Sequence, residues 1–139
     1  MPLQPEVAAL LSRPNFAHLS TLMPDGSPNV TPVWVGLDGD RILISTSEDS
    51  LKARNLRRDP RLGISVIGFH NPYEEVQIRG RAVELRPDPK LETIDAHSQK
   101  YIGAPFPMRN LKQIAIVIEV EKARYTKLPL QHTPPGDSH

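Results

Sequence analysis

The sequence predicts a mainly β domain, a barrel of six mostly antiparallel strands carrying two or three small helices. Three observations point there. Short runs place apolar residues at every second position, the period of a half-buried strand. Clusters of Pro, Gly and Asp separate these runs and supply the tight turns that join antiparallel neighbours. Gly80 sits inside a long strand-like run, as at a bulge or barrel corner. A sheet of this composition removes its exposed edges by closing on itself.

Each element has its own signal. From Pro5 to Ser12, Val7, Leu10 and Leu11 fall at helical spacing, with Pro5 suited to a first turn and Pro14 beyond the end. Phe16 to Met23 alternates as a strand, and Pro24-Asp25-Gly26-Ser27-Pro28 turns the chain into a second strand, Asn29 to Val35. Asp38-Gly39-Asp40 makes another turn into Arg41 to Thr46, so these three strands read as a meander. A basic helix follows, capped by Asp49 or Ser50 and stopped by Pro60. Strand character returns over Leu62 to Ile67 and Glu75 to Leu85, with Gly68 to Tyr73 as the loop between them. Pro87-Asp88-Pro89 breaks the run, and Leu91, Ile94, Ser98 and Tyr101 then mark a helix from Lys90 to Tyr101. After a proline-rich loop, Gln113 to Val120 is the strongest strand signal and continues through Tyr125. The domain therefore covers residues 1–127. Residues 128–139, with Pro129, Pro134, Pro135 and Gly136, form an extended or disordered tail.

Bulk composition narrows the function. A chain of 139 residues suits one domain with its own core. The net charge of +1 and low aromatic content argue against nucleic acid and against an anionic membrane. Cysteine is absent, which excludes disulfides and thiolate metal sites. The N-terminus lacks the basic and apolar regions of a secretion signal, and no apolar run reaches the ~20 residues of a spanning helix. A cytoplasmic protein is expected.

Familiar catalytic constellations are missing. His18, His70, His97, His132 and His139 show no metal-ligand spacing. Ser47 and Ser50 have no histidine near in sequence and no nucleophile-elbow pattern. The pairs Glu74-Glu75 and Glu119/Glu121 read as solvated strand positions, and neither a dinucleotide nor an NTPase glycine motif occurs. Any chemistry here is expected to come from a bound cofactor.

One stretch can hold such a cofactor. Ser45-Thr46-Ser47 ends a strand, and Lys52, Arg54, Arg57, Arg58 and Arg61 follow closely. A helix start presents unpaired N–H groups and the positive end of its dipole, so hydroxyl donors plus a lysine one turn in would complete a phosphate cradle. A solvated basic helix face explains the same pattern equally well.

The ordered set Leu19-Ser20-Thr21, Asp25-Gly26-Ser27-Pro28, Thr31-Pro32-Val33-Trp34, Ser45-Thr46-Ser47 and Lys52 to Arg61 resembles one family. It is the pyridoxamine 5'-phosphate oxidase-like split barrels, in particular the flavin/deazaflavin oxidoreductases that use coenzyme F420. Val76 to Ala82 and Tyr101-Ile102-Gly103 fit the same pattern. The resemblance implies a six-stranded antiparallel split β-barrel and a homodimer with two coenzyme sites at its interface. On that likeness Lys52 is the phosphate cation, Thr46, Ser47 and Ser50 are hydroxyl donors, and Asn55 shares the helix face of Lys52. The coenzyme ring would lie along the strands that hold Thr31, Pro32, Val33, Trp34 and Val35 and Ile44 to Ser47, Ser45 included. Arg54, Arg57 and Arg58 would meet the acidic tail that distinguishes F420 from FMN.

The departures are informative. Pyridoxamine phosphate oxidases proper are similar to this chain but carry an arginine where Thr31 stands, a lysine near Gly36 and a cation where Leu51 stands. Their loss argues against pyridoxine-phosphate oxidation and favours F420, with FMN as the alternative. The implied function is hydride transfer between the deazaflavin and a small electrophilic substrate; a carrier or sensor of the coenzyme without turnover is the second hypothesis. His18, Tyr73 and Tyr101 are conceivable proton donors, each with a structural role as the competing reading.

Overall fold

The computed structural model describes residues 2–136, so His139 and the end of the predicted tail lie outside the described residues. The elements in chain order are α1 (Pro5–Ser12), β1 (Ala17–Leu22), β2 (Pro28–Val33), β3 (Gly36–Asp38), β4 (Arg41–Ser47), α2 (Leu51–Arg58), β5 (Arg61–Ile67), β6 (Glu74–Pro87), α3 (Glu92–Ile102) and β7 (Gln113–Lys127). All strands join one sheet in the order β2-β1-β5-β6-β7-β4-β3, and every pairing is antiparallel.

Three expectations need correction. The sheet has seven strands and not six, because the short β3 pairs with β4 across the Asp38-Gly39-Asp40 turn. The three-strand meander is also wrong: β2 pairs only with β1, while β4 lies between β7 and β3. Nor is the sheet closed by hydrogen bonds, since β2 and β3 are its two edges. Pro28 and Pro32 explain why β2 is an edge, for neither can donate to a ladder.

The chain itself bridges the split. It passes from the edge strand β2 to the edge strand β3 through Trp34 and Val35 alone. Three Cα steps reach at most about 11 Å, whereas a flat sheet of seven strands would hold its edges about 29 Å apart. The sheet must therefore curl until its edges nearly meet. Register shifts at Arg79/Gly80 and Ala82/Glu84 supply bends in the 14-residue β6. The bulge expected at Gly80 is present.

The interior follows from the alternation. Leu19, Ile42, Ile44, Val66, Val76, Ile116 and Ile118 are buried from the strands, and α1 inserts Val7, Leu10 and Leu11, each fully buried. Each such side chain contributes about 2 kcal/mol relative to exposure. Helix α1 packs on β3, β5, β6 and β7, which links strands near both edges of the split. No helix among the described residues is long and apolar enough to cross a membrane.

Helices α2 and α3 carry residues toward the strand ends. Ser50 caps α2, its Oγ accepting from the Ala53 N–H at 3.2 Å and from the Thr46 hydroxyl at 2.9 Å. Asp59 and Pro60 end the helix. Ser50→Ala should cost about 1 kcal/mol of stability, read as a lower urea midpoint; an unmoved midpoint means the cap is idle. Helix α3 starts two residues later than its periodicity suggests. Leu91 takes a left-handed conformation (φ 60°), and the Asp88 carboxylate accepts from the Thr93 and Ile94 N–H groups.

Candidate functional site

A cleft of about 570 Å³ opens where the ends of β2 and β4 face the start of β7 and the loop after α3. Its floor is Pro32, Val33 and Trp34 on one side and Ser45, Thr46 and Ser47 on the other, with Lys52 at the start of α2. Phe16, Ile94, Phe106, Met108, Leu111 and Gln113 complete it. The size and the mostly apolar wall with a few polar groups suit a small-molecule ligand. A second cleft of about 440 Å³ shares Leu111 and Gln113.

Trp34 forms the aromatic wall. Its indole stacks on the Tyr101 ring, with centroids 5.4 Å apart and planes 5° from parallel, and meets Phe106 edge-on at 6.1 Å. Tyr101 is held in turn, its hydroxyl accepting from the Val35 N–H at 3.1 Å and donating to the Asn15 carbonyl at 2.5 Å. Lys100 donates to the Leu11 and Val35 carbonyls, so α3 is tied to α1 and to the bridge between β2 and β3. These bonds give Tyr101 a positioning role: burial raises its pKa, and its proton is already donated to a backbone carbonyl.

Lys52 is the cation of the cleft. It is half-buried, burial lowers its pKa, and none of the ion pairs found among the described residues includes it. Thr46 and Ser47 line the same space, and the first N–H groups of α2 have no intrahelical acceptors. Acid groups are absent from the lining, so an anion is the matching ligand charge.

Sequence spacing could not show one pair. The Ser45 Oγ lies 3.1 Å from the His97 Nδ1, though the two residues are 52 positions apart. His97 is buried on α3 against Gly36, where a Cβ would lie 2.6 Å from its Nε2. Burial, with a contribution from the Lys100 charge, pushes its imidazole down to about 4. His97 is therefore neutral near pH 7 and fixes the rotamer of a serine that faces the cleft.

The structure brings together Pro32, Val33, Trp34, Ser45, Thr46, Ser47 and Lys52. Ser50 stands behind them as the helix cap. The remaining expected residues are elsewhere. Thr31 pairs with the buried Leu19 and shares its inward face of the sheet. Asn55 does not share the face of Lys52: it is fully buried, its amide donating to Thr21 Oγ1 at 3.0 Å and its carbonyl accepting from Arg58. A buried amide needs such partners, and the helix turns Asn55 toward β1 to find them. Arg57 donates to the Glu48 carbonyl at 3.0 Å and Arg58 to that of Leu22, which makes both helix-end braces. Arg54 is exposed. The sequence reading missed Phe16, Ile94, Phe106, Met108, Leu111 and Gln113; four are apolar loop residues, Ile94 is on α3 and Gln113 opens β7, and none carries a local signal of the wall it joins.

The fold defines a split-barrel protein with a cleft at the seam of its barrel. The chain belongs to the pyridoxamine 5'-phosphate oxidase family, whose model matches residues 3–127. Among solved structures it is similar to an F420 reductase at 29% identity, with a TM-score of 0.78 over 89% of this chain and 98% of that one. A conserved hypothetical protein from Mycobacterium tuberculosis is 26% identical, with a TM-score of 0.74 over 99% of this chain and 94% of that one. A pyridoxamine 5'-phosphate oxidase-type protein from Listeria innocua shares the fold at 21% identity and a TM-score of 0.63, over 86% and 94% of the two chains. No curated protein matches. The resemblance read from the sequence is thus borne out at the level of the family.

Proposed function

We propose that this chain is an F420-dependent oxidoreductase acting on a small electrophilic substrate, with FMN as the alternative coenzyme. The observation that carries the reading is Lys52: a half-buried lysine with no acid partner, at the start of a capped helix, in one cleft with a stacked aromatic wall. Similarity to an F420 reductase over most of both chains supports the deazaflavin.

When bound, the deazaflavin supplies or accepts the hydride. The protein's part is to hold and to exclude. Lys52, with Ser47 and the first amides of α2, holds the phosphate by charge and hydrogen bonds, while the Thr46 hydroxyl is spent on the Ser50 cap. Val33 and Trp34 give the ring an apolar wall, kept rigid by Tyr101. Phe106, Met108 and Leu111 keep water from the reacting faces. Arg54, exposed on α2, is the guanidinium proposed for the acidic tail.

The reading includes a homodimer. Phe16, Val30, Ile67 and Phe69 are large apolar side chains exposed just before β1, on β2, on β5 and in the turn after β5, which supports a second copy covering them.

Titration of the protein with F420 and with FMN, followed by coenzyme fluorescence, tests the assignment. F420 should bind more tightly; preference for FMN reassigns the coenzyme, and failure of both overturns the reading. Oxidation of the reduced coenzyme by a panel of enones and quinones then separates an enzyme from a carrier. Lys52→Ala should weaken binding at least about tenfold, roughly 1.4 kcal/mol. Unchanged affinity removes the cradle.

A further inference from the structure

Gln113 opens β7 at the wall of the cleft. The residue is 6% exposed, and its amide oxygen Oε1 is the one buried side-chain polar atom among the described residues without a hydrogen-bond partner. Leaving a buried acceptor unpaired costs free energy, because its lost water is not replaced. The backbone that carries the side chain is held in place. Register sets Gln113 opposite Ser47, and its backbone carbonyl accepts from the Asp88 N–H at 3.0 Å. Ser47, its cross-strand neighbour, makes no bond to Oε1. Gln113 lines the cleft together with Trp34 and Lys52, and lines the adjoining smaller cleft as well.

We propose that Gln113 recognises the imide edge, –CO–NH–CO–, of a heterocycle bound in the cleft, its Oε1 accepting from the ring N–H. The assignment rests on the coenzyme reading above, since flavin and deazaflavin rings both end in that edge. A side-chain amide presents C=O and N–H groups side by side in one plane. An imide presents the complementary pair, so two parallel hydrogen bonds form at once. A lone hydroxyl satisfies half of the amide, and an apolar occupant satisfies none. A phosphate, which offers only acceptors, repels a carbonyl oxygen. Gln113 therefore marks the ring portion of the cleft and Lys52 its anion portion. Because both coenzymes carry the imide, Gln113 contributes affinity without choosing between them.

The experiment compares wild type with Gln113→Leu, and with Gln113→Met as a second variant lacking the amide. The probes are F420, FMN and FMN methylated at the imide nitrogen. Without coenzyme, the variant should unfold at the same temperature as wild type or higher, since the unpaired acceptor is gone. F420 and FMN should each bind about tenfold more weakly to the variant. Methylation should weaken binding to wild type by a similar factor and leave binding to the variant unchanged, a coupling that a structural role does not produce. Equal affinities for wild type and variant, or a methylation penalty that is the same in both, overturns the assignment. So does a coenzyme-free variant that unfolds well below wild type. Wild-type protein that binds neither coenzyme overturns the coenzyme reading, whereas normal binding with an indifferent Gln113 overturns this assignment alone.

Discussion

Lowering the pH from 7 to 4 is expected to remove about 3 kcal/mol of folding stability through His97 alone. The imidazole is buried on α3 and held down to about 4, against 6.5 in an unfolded chain. Lys100 adds repulsion of the charged form, while Asp88 partly offsets it. Between those two values the unfolded chain binds more protons than the folded one. Stability is therefore complete above about pH 6.5, falls as pH falls through the window, and levels once both forms are protonated. Chemical unfolding at several pH values between 7 and 4 measures the slope. His97→Asn, which cannot titrate, should flatten it even if its stability at pH 7 is lower. A wild-type protein with constant stability from pH 6.5 to 4.5 would show that the imidazole is not sequestered. The window also reaches the site, because the protonating ring is the partner of Ser45.

Gly80→Ala should destabilise the fold by a similar amount, about 3 kcal/mol. A Cβ at this position would lie 2.4 Å from the Glu119 carbonyl oxygen and 3.3 Å from the Ile118 Cγ2. The first of these is backbone of a paired strand and cannot swing aside. Gly80 sits at a register shift in the ladder between β6 and β7, which has more tertiary contact than any other pair of elements. Relieving the clash would mean opening that bend. Gly63→Ala is the control: a Cβ there meets nothing closer than 3.8 Å, so its urea midpoint should stay close to wild type. Equal midpoints for Gly80→Ala and wild type would refute the close approach.

The parts of the site that were legible beforehand are those written in neighbouring residues. Ser45-Thr46-Ser47 and Lys52 belong to a strand end and the helix directly after it, so their convergence needs only local geometry. Pro32, Val33 and Trp34 came with them through family resemblance, and the cleft contains all three. Asn55 shows the limit of that logic. Its offset of three from Lys52 suggested a common face, but the buried Thr21 on another element offered its amide a partner. Arg57 likewise found a backbone carbonyl at 3.0 Å.

What this sequence determined by itself is the inventory of elements: α1 from Val7, Leu10 and Leu11, the β1–β2 hairpin, the cap at the start of α2, the bend at Gly80 and the long final strand. Each rests on residues a few positions apart, where periodicity and turn chemistry act. Only the tertiary structure decided which strands became neighbours, that two residues bridge the two edges of the sheet, and that His97 and Gln113 arrive at the C-terminal end of β4. Curling the sheet sums small twists and bulges over all seven strands, and contacts across the seam depend on that sum. No local spacing encodes it.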